Sequence, residues 1–572
     1  MPGRERAQVL REEKEFKLNA WGFRWLVKRG YLDLFSEFIN RAWTGNDSTK
    51  VKDTNLRSVF SLKLEEEDKD LFFKRQRYPL ILALIKYLFL ANKSRVEWKM
   101  AGLLLDRGIP TGNPIALGVR RKFGVLRESV LVVNGLGKVK DLFAYCQELS
   151  SLAPGPRRLK ARRDLAFALG RLLARVHAEG IFHSDLHGGN ILVGEGLGEA
   201  RPRLFLIDLH RIKVRNKSRF KDVVKNIAQL APYFQGVASQ TDRVRFLKAY
   251  LGNGAAEEIK TYAQAIDRLA NRVRQDFYLR RHNRCLKENR DFAALTSRQL
   301  KGYVRRSYGD KEFEAFLHDL DSLFHRAAVT FLKISSGGVS ALVNFVSSQG
   351  EKRLYVKAQQ PSGLKAFRYL FSRSRPKRAW LAANGLLLRG VATPLPLAYV
   401  RKRKGLLSFH DFFVSLAAEE ALPIEPYVAQ ELGPKPMSGP RQARDLFLAE
   451  LVKPIRRMHD RGAFHSDLKA NNVLVERVRG KPPRIILVDL DGMKFYRSVK
   501  ANQRARDLAR LDASLQHLFS PKERLHFFHL YKQDCPALKV NARAVLKEAA
   551  RLSRKKVLQK AQDFASHGSV AG

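Results

Sequence analysis

"GIFHSDLHGGNILV" runs from Gly180 to Val193, and "GAFHSDLKANNVLV" runs from Gly462 to Val475. His183 pairs with His465, Asp185 with Asp467 and Asn190 with Asn472, all at one shift of 282 residues. The register extends in both directions. "LFLIDLHRIKV" matches "IILVDLDGMKF" and pairs Asp208 with Asp489; "LFFKR" matches "LYVKA" and pairs Lys74 with Lys357. "WKMAGLLLDRGIPT" matches "WLAANGLLLRGVAT" and pairs Trp98 with Trp380. So long a period is not a solenoid repeat. It marks a duplicated domain occupying nearly half of the 572-residue chain, a length too great for one hydrophobic core. The copies are expected at 1–290 and 291–572, with the join between "RHNRCLKENRDF" and "AAVTFLKISSGG".

Each copy has the same internal order. Runs that alternate with period two come first, "SVFSLKLEEEDKDLFFK" and "VTFLKISSGGVSALVNFVSSQGEKRLYVK", and both end on a lysine. A Trp-bearing helix follows and stops at "GIPTGNPIAL" or "GVATPLPLAY". A long helix, "DLAFALGRLLARVHAEG" or "DLFLAELVKPIRRMHDRG", ends on a glycine suited to a C-cap. The HSDL loop, two short apolar runs and amphipathic helices complete the unit. The expected class is α+β: a small β-rich lobe followed by a larger helical lobe, twice.

The charge is strongly one-sided. Lys plus Arg number 106 against 56 acids, a formal +50. Such a surplus points to an anionic partner, either nucleic acid, an acidic membrane surface or a phosphorylated substrate. The basic runs "GPRRLKARRD", "SRSRPKRAW", "VRKRKG" and "RLSRKKVLQK" are not interleaved with aromatics as stacking platforms would be. Nucleic acid therefore ranks below an anionic membrane surface. Cys146, Cys285 and Cys535 are far apart, so a disulfide framework or zinc site is not expected, and a reducing cytosol fits. The N-terminus has no apolar signal core. The longest apolar run, Leu80 to Ala91, is too short to span a bilayer and reads as a buried helix.

The repeated residues suit phosphoryl transfer from a nucleotide. One Asp accepts the proton of an attacking hydroxyl, an Asn and a second Asp hold Mg²⁺, and a Lys neutralises phosphate charge. Asp185 and Asn190 lie five apart on one loop, Asp208 ends a β-run downstream, and Lys74 ends one upstream. The spacing matches the protein-kinase loop H-x-D-L-x-x-x-N with a later metal-binding Asp. Finding it twice, in register, outweighs the reading of HSDL as an ordinary surface turn.

"GIFHSDLHGGNILV...LFLIDLHR" resembles the lipopolysaccharide-core kinase family, the Kdo and heptose kinases, as do "KSRVEWKMAGLLLDRGIPTGNPIAL" and "SRPKRAWLAANGLLLRGVATPLPLAY". The resemblance implies an ATP- and Mg²⁺-dependent kinase, in two tandem kinase-like domains, acting on a sugar hydroxyl (heptose or Kdo) of the lipopolysaccharide core. It also implies work at the cytoplasmic face of the inner membrane, as a peripheral protein on a phosphorylated glycolipid. It makes Asp185 the catalytic base, Asn190 and Asp208 the Mg²⁺ ligands, Lys74 the phosphate-pairing lysine and Glu97 its orienting partner. The second-copy counterparts are Asp467, Asn472, Asp489 and Lys357. His183 and His465 are expected to brace the loop, and His177 and His459 to pack.

Each copy departs from this pattern. Ala379 stands opposite Glu97, which predicts a poorly held Lys357. The first copy's "TNLRSVFSLKL" hairpin has no glycine, whereas "SSGGVS" places Gly337 and Gly338 where backbone N–H groups can approach ATP phosphates. The first copy, with its charged set complete, is expected to be active. The alternatives are a protein or small-molecule kinase of the same fold, or a pseudokinase scaffold.

Overall fold

The computed structural model describes residues 15–44, 48–54, 56–64, 69–79, 87, 91–194, 201–234, 238–252, 254–323, 329–335, 338–348, 350–360, 373–404, 409–433, 440–533 and 542–568. The chain forms two compact units, Met1–Val273 and Arg274–Gly572. The division falls ahead of the expected join near residue 290, because the end of the Ala256–His282 helix and the residues after it pack into the second unit. Cys285 is buried in that unit's core, and its carbonyl accepts a hydrogen bond from Trp380 Nε1 at 3.0 Å.

Each unit opens with a seven-stranded antiparallel sheet. In the first the strands lie in the order Glu15–Ala20, Phe23–Lys28, Pro114–Lys122, Val125–Asn134, Lys69–Arg77, Arg57–Leu64, Ser48–Asp53. In the second the order is Phe292–Thr296, Leu300–Arg305, Pro396–Arg403, Phe409–Leu416, Gly350–Gln359, Gly338–Ser347, Val329–Ser335. The sheets are larger than the sequence pattern suggests, since each also recruits an N-terminal hairpin and the strands after the Trp-bearing helix. Those strands are nearly continuous apolar runs, such as "SVLVV", in which period two is hidden by burial on both faces.

Alternation along one strand positions each lysine. In Lys69–Arg77, Leu71 and Phe73 are fully buried in the sheet's core, so Lys74 faces the other way. In Gly350–Gln359, Leu354, Val356 and Ala358 are buried on one face and Lys357 faces the other. Neither strand ends on its lysine as expected: the ladder continues to Arg77 and Gln359. Val59 and Leu131 flank Lys74, and Ser340 and Phe413 flank Lys357. The lysine backbone is therefore pinned from both sides.

The Trp-bearing helices are Lys93–Asp106, capped by Asn92, and Arg375–Leu388, capped by Ser374. The long helices are Pro156–Ala178 and Arg441–Asp460, and each gives way to a glycine at positive φ, Gly180 at 67° and Gly462 at 79°. A Cβ on Gly180 would lie 1.9 Å from the Arg215 carbonyl oxygen, and one on Gly462 2.1 Å from that of Tyr496. These glycines deliver the chain directly into the HSDL loops. The expected helix at Leu80 to Ala91 lies outside the described residues apart from Tyr87 and Ala91. Among the described residues no helix is long and apolar enough to cross a membrane.

His282 sits in the second unit against Phe495, ring centroids 4.6 Å apart, and its Nδ1 has no hydrogen-bond partner. Burial, then the positive charges of Arg389 and Arg373, push its imidazole down to about 4. An unfolded histidine titrates near 6.5, so the unfolded chain binds the extra proton between those values. The stability that His282 contributes is complete above about pH 6.5 and is lost as pH falls toward about 4, on the order of 3 kcal/mol. His282→Gln should give a shallower loss of stability over that window in urea titrations; a slope equal to the parent's would refute the assignment.

Candidate active sites

In the first unit Lys74 Nζ meets Glu97 Oε1 at 2.5 Å, with side chains 16% and 4% exposed. Glu97 lies on the helix face that also buries Ala101 and Leu104, so the helix carries its carboxylate inward to the sheet. Asp208 adopts a left-handed backbone, φ 60°, and leads the turn Leu209–Arg211. His210 Nδ1 stands 2.8 Å from Asp208 Oδ1, and Arg57 Nη2 stands 3.9 Å from the same oxygen. Burial works against the Asp208 charge, but His210, Arg57 and Lys74 outweigh it and hold the carboxyl far below the usual range.

Asp208 Oδ1 and His210 Nδ1 are both buried, and despite their 2.8 Å approach neither has a hydrogen-bond partner. An orphaned carboxylate oxygen at this depth fits a missing ligand. Ligand atoms of Glu97, Asp208 and His210 lie within 4.8 Å of one another. Asn190 Nδ2 donates to the Asp185 carbonyl at 2.9 Å, which leaves the amide oxygen as its remaining polar atom. The Ile207 N–H donates to the Asn190 carbonyl at 3.0 Å and holds that residue beside Asp208. An oxygen-dominated donor set of this kind suits a hard divalent cation.

Asp185 is the most open member, with its side chain 47% exposed and Arg211 Nε 3.8 Å away. Its loop hangs from the fold by main-chain bonds. His183 accepts from the Asp185 N–H through Nδ1 at 3.2 Å and donates through Nε2 to the Ile207 carbonyl at 3.3 Å. Asn226 Nδ2 donates to the His183 carbonyl at 2.7 Å, and Asn226 Oδ1 pairs with His177 Nε2 at 3.0 Å. His177 also meets the Tyr250 hydroxyl at 2.9 Å. Burial pushes both imidazoles down, so each serves the loop as a neutral ring. His177 does more than pack: it links the long helix to the support of the loop.

The second unit repeats the loop and changes what surrounds it. Asn472 Nδ2 donates to the Asp467 carbonyl at 2.7 Å, and Lys469 Nζ lies 3.0 Å from the Asp467 carboxylate. His465 Nε2 donates to the Val488 carbonyl at 3.1 Å, and Asp489 is left-handed at φ 54°. Asp507 stands where Asn226 stands, and the peptide geometry differs with it. Asp507 accepts from the N–H groups of His465 (2.8 Å) and Ser466 (3.0 Å) and pairs with His459 Nε2 at 3.2 Å. Ser466 is left-handed at φ 68°, whereas Ser184 is not among the positive-φ residues. An amide can donate to a carbonyl and a carboxylate can only accept, so the side-chain type selects which face the loop peptide presents.

Lys357 is not poorly held. The Arg375–Leu388 helix has no acid to offer, but Lys357 Nζ meets Asp489 Oδ1 at 3.0 Å and Asp491 Oδ2 at 3.3 Å. The site reading missed Asp491, His210, Arg57, Asn226 and Asp507. "DLH" and "DLD" carried the first two in plain view, two residues after the expected metal ligand; the others come from distant segments and left no local signal. Gly338 begins a strand at φ 141°, and a Cβ there would lie 2.4 Å from the Ala358 carbonyl oxygen, so the sheet itself requires glycine. Gly337 lies outside the described residues.

A sheet lobe whose central lysine faces paired carboxylates, above a loop presenting an open aspartate, defines a kinase-like unit, here present twice. The chain belongs to the lipopolysaccharide kinase (Kdo/WaaP) family, whose model matches residues 42–250 and 332–531. The protein is a kinase, a phosphotransferase with an alcohol group as acceptor. Among solved structures, "WaaP in complex with acyl carrier protein" is similar at 21% identity over 44% of this chain and 99% of that one, with a TM-score of 0.34. No curated protein matches at a significant level.

Asn226→Asp should expose the role of the loop support. The new carboxylate would face the His183 carbonyl where an N–H now donates, at a cost of about 1–3 kcal/mol. A lowered melting temperature in thermal melts is expected, and an unchanged one would refute the assignment.

Proposed function

We propose that the first unit transfers the terminal phosphate of ATP to a sugar hydroxyl, heptose or Kdo, of the lipopolysaccharide core. The observation that carries this reading is the buried Lys74–Glu97 pair beside an orphaned Asp208 oxygen, with Asp185 open to an acceptor. Asp185 takes the proton of the acceptor hydroxyl as that oxygen attacks the terminal phosphorus, the bond from that phosphorus to the bridging oxygen breaks, and ADP leaves. Asn190 and Asp208 would hold Mg²⁺, which would neutralise charge on the phosphate oxygens. Lys74, oriented by Glu97, pairs with the remaining phosphates. Arg57, from the hairpin that lacks glycine, adds positive charge on the same side. Family membership supports lipopolysaccharide as the acceptor.

In the second unit Asp467, Asn472, Asp489 and Lys357 take the same roles, with the Gly338 backbone on the phosphate side. A second reading applies to this unit alone. Lys357 occupies one oxygen of Asp489, the expected metal ligand, which favours a unit that binds nucleotide in support of its neighbour.

Radiolabelled ATP with purified core lipopolysaccharide, followed by mass mapping of the product, tests the acceptor. Asp185→Asn removes the proton acceptor at constant size and should lower turnover roughly 10²–10⁴-fold while nucleotide binding survives. Parental turnover in a folded variant would sink the assignment.

The formal +50 supports docking on the anionic face of the inner membrane from the cytoplasm. Each Lys or Arg near such a surface contributes about 1 kcal/mol, and salt at about 1 M shortens the attraction to about 3 Å. Co-sedimentation should favour anionic over neutral vesicles and be lost in a high-salt wash; equal binding to both, or retention after the wash, would overturn electrostatic docking.

A further inference from the structure

The two sites keep the same charges and place one of them differently. Asp208 and Asp489 both lead a short turn from a left-handed backbone. The second residue of that turn is His210 in one unit and Asp491 in the other. Across from the turn, the helix offers Glu97 in one unit and Ala379 in the other, both buried. Each lysine thus has two carboxylates nearby, from helix and turn in the first unit and from the turn alone in the second.

Asp491 does not behave as a surface acid. Its side chain is 20% exposed, and Lys357 Nζ and Arg375 Nε converge on its Oδ2 at 3.3 and 3.9 Å. Arg375 is the first residue of the helix that lacks the glutamate, so that helix contributes a cation to the turn where its counterpart contributes an anion to the sheet. In the first unit a third carboxylate at position 210 would crowd Glu97 and Asp208; the residue there is a histidine lying against Asp208.

We propose that Asp491 is the positioning residue for Lys357, performing from the turn the role that Glu97 performs from the helix. The proposal rests on the reading of these lysines as phosphate-binding. It has a mechanical consequence. In the first unit the lysine's direct partner comes from the helix and not from the metal-binding turn. In the second, lysine and turn are tied together, and Asp491 would still hold Lys357 were Asp489 to take a metal.

The test uses the full chain and two readouts. The first needs no nucleotide: labelling of Lys357 by an amine-reactive reagent, followed by mass spectrometry. Asp491→Asn removes one of the two carboxylates that hold Lys357 Nζ, so the freed amine should be labelled roughly tenfold faster. Asp491→Glu should stay near the parent, and Ala379→Glu added to Asp491→Asn should restore protection. The reciprocal exchange guards against a misfolded Ala379→Glu chain: Glu97→Ala should expose Lys74, and His210→Asp should protect it again. The second readout is binding of a fluorescent ATP analogue with Mg²⁺ in an Asp208→Ala background, where Asp491→Asn should weaken affinity roughly tenfold, in step with the labelling. Unchanged Lys357 labelling in Asp491→Asn, or failure of both exchanges to restore protection, overturns the proposal. Altered labelling with no nucleotide binding in the background chain would leave Asp491 as the positioning residue and remove nucleotide from the second site.

Discussion

An ammonium group turned toward the helix-facing side of a sheet, with most of its water removed, must find a carboxylate. Lys74 and Lys357 are both in that position, and the rest of each site follows from how the need is met. In the first unit the Lys93–Asp106 helix brings Glu97 to the lysine, and Asp208 keeps a buried oxygen without a hydrogen bond, beside His210 and Arg57. In the second the helix brings nothing, and Lys357 draws on Asp489 and Asp491 instead. Breaking a buried pair on one side leaves an uncompensated charge and costs far more than moving the partner. Relocation of the carboxylate is therefore the change that a duplicated site can tolerate.

The HSDL loop is held on a different principle. Its anchors are main-chain groups: the carbonyls of Asp185 and Asp467, the carbonyls of Ile207 and Val488, and the peptides at residues 183 and 465–466. Main-chain anchoring leaves the two carboxylates about half exposed rather than committed to holding the loop. It also lets the supporting side chain change from Asn226 to Asp507, provided the peptide reverses which polar group it offers. The left-handed Ser466 is the backbone counterpart of that exchange. Identical tetrapeptides can therefore differ in conformation because the residue under them lies some forty positions downstream.

Much of the architecture was legible from the chain alone, for identifiable reasons. The duplication was carried by residues at one spacing, and Gly180 and Gly462 were readable as helix ends because few other residues tolerate that backbone. The lysine strands were readable because one face of each is apolar. The additional strands were not, since a strand buried on both faces loses its alternation. The expected weakness of Lys357 came from looking only at the helix position, where the counterpart of Glu97 is missing. Asp491 lay within the quoted "DLD", but nothing in a linear pattern says that a turn residue points back at a strand more than a hundred positions earlier.

The sequence by itself determined two kinase-like units of the same order, the residue types of phosphoryl transfer in each, and a basic surplus in search of an anionic partner. The pairing of Lys74 with Glu97 was expected, but only the tertiary structure decided the other pairs: Lys357 with Asp489 and Asp491, and Asp208 beside His210 and Arg57. Periodicity and caps act over a few residues and are written locally. Ion pairing depends on distance in space and on the water excluded around it, and both are set only when strand, helix and turn pack together.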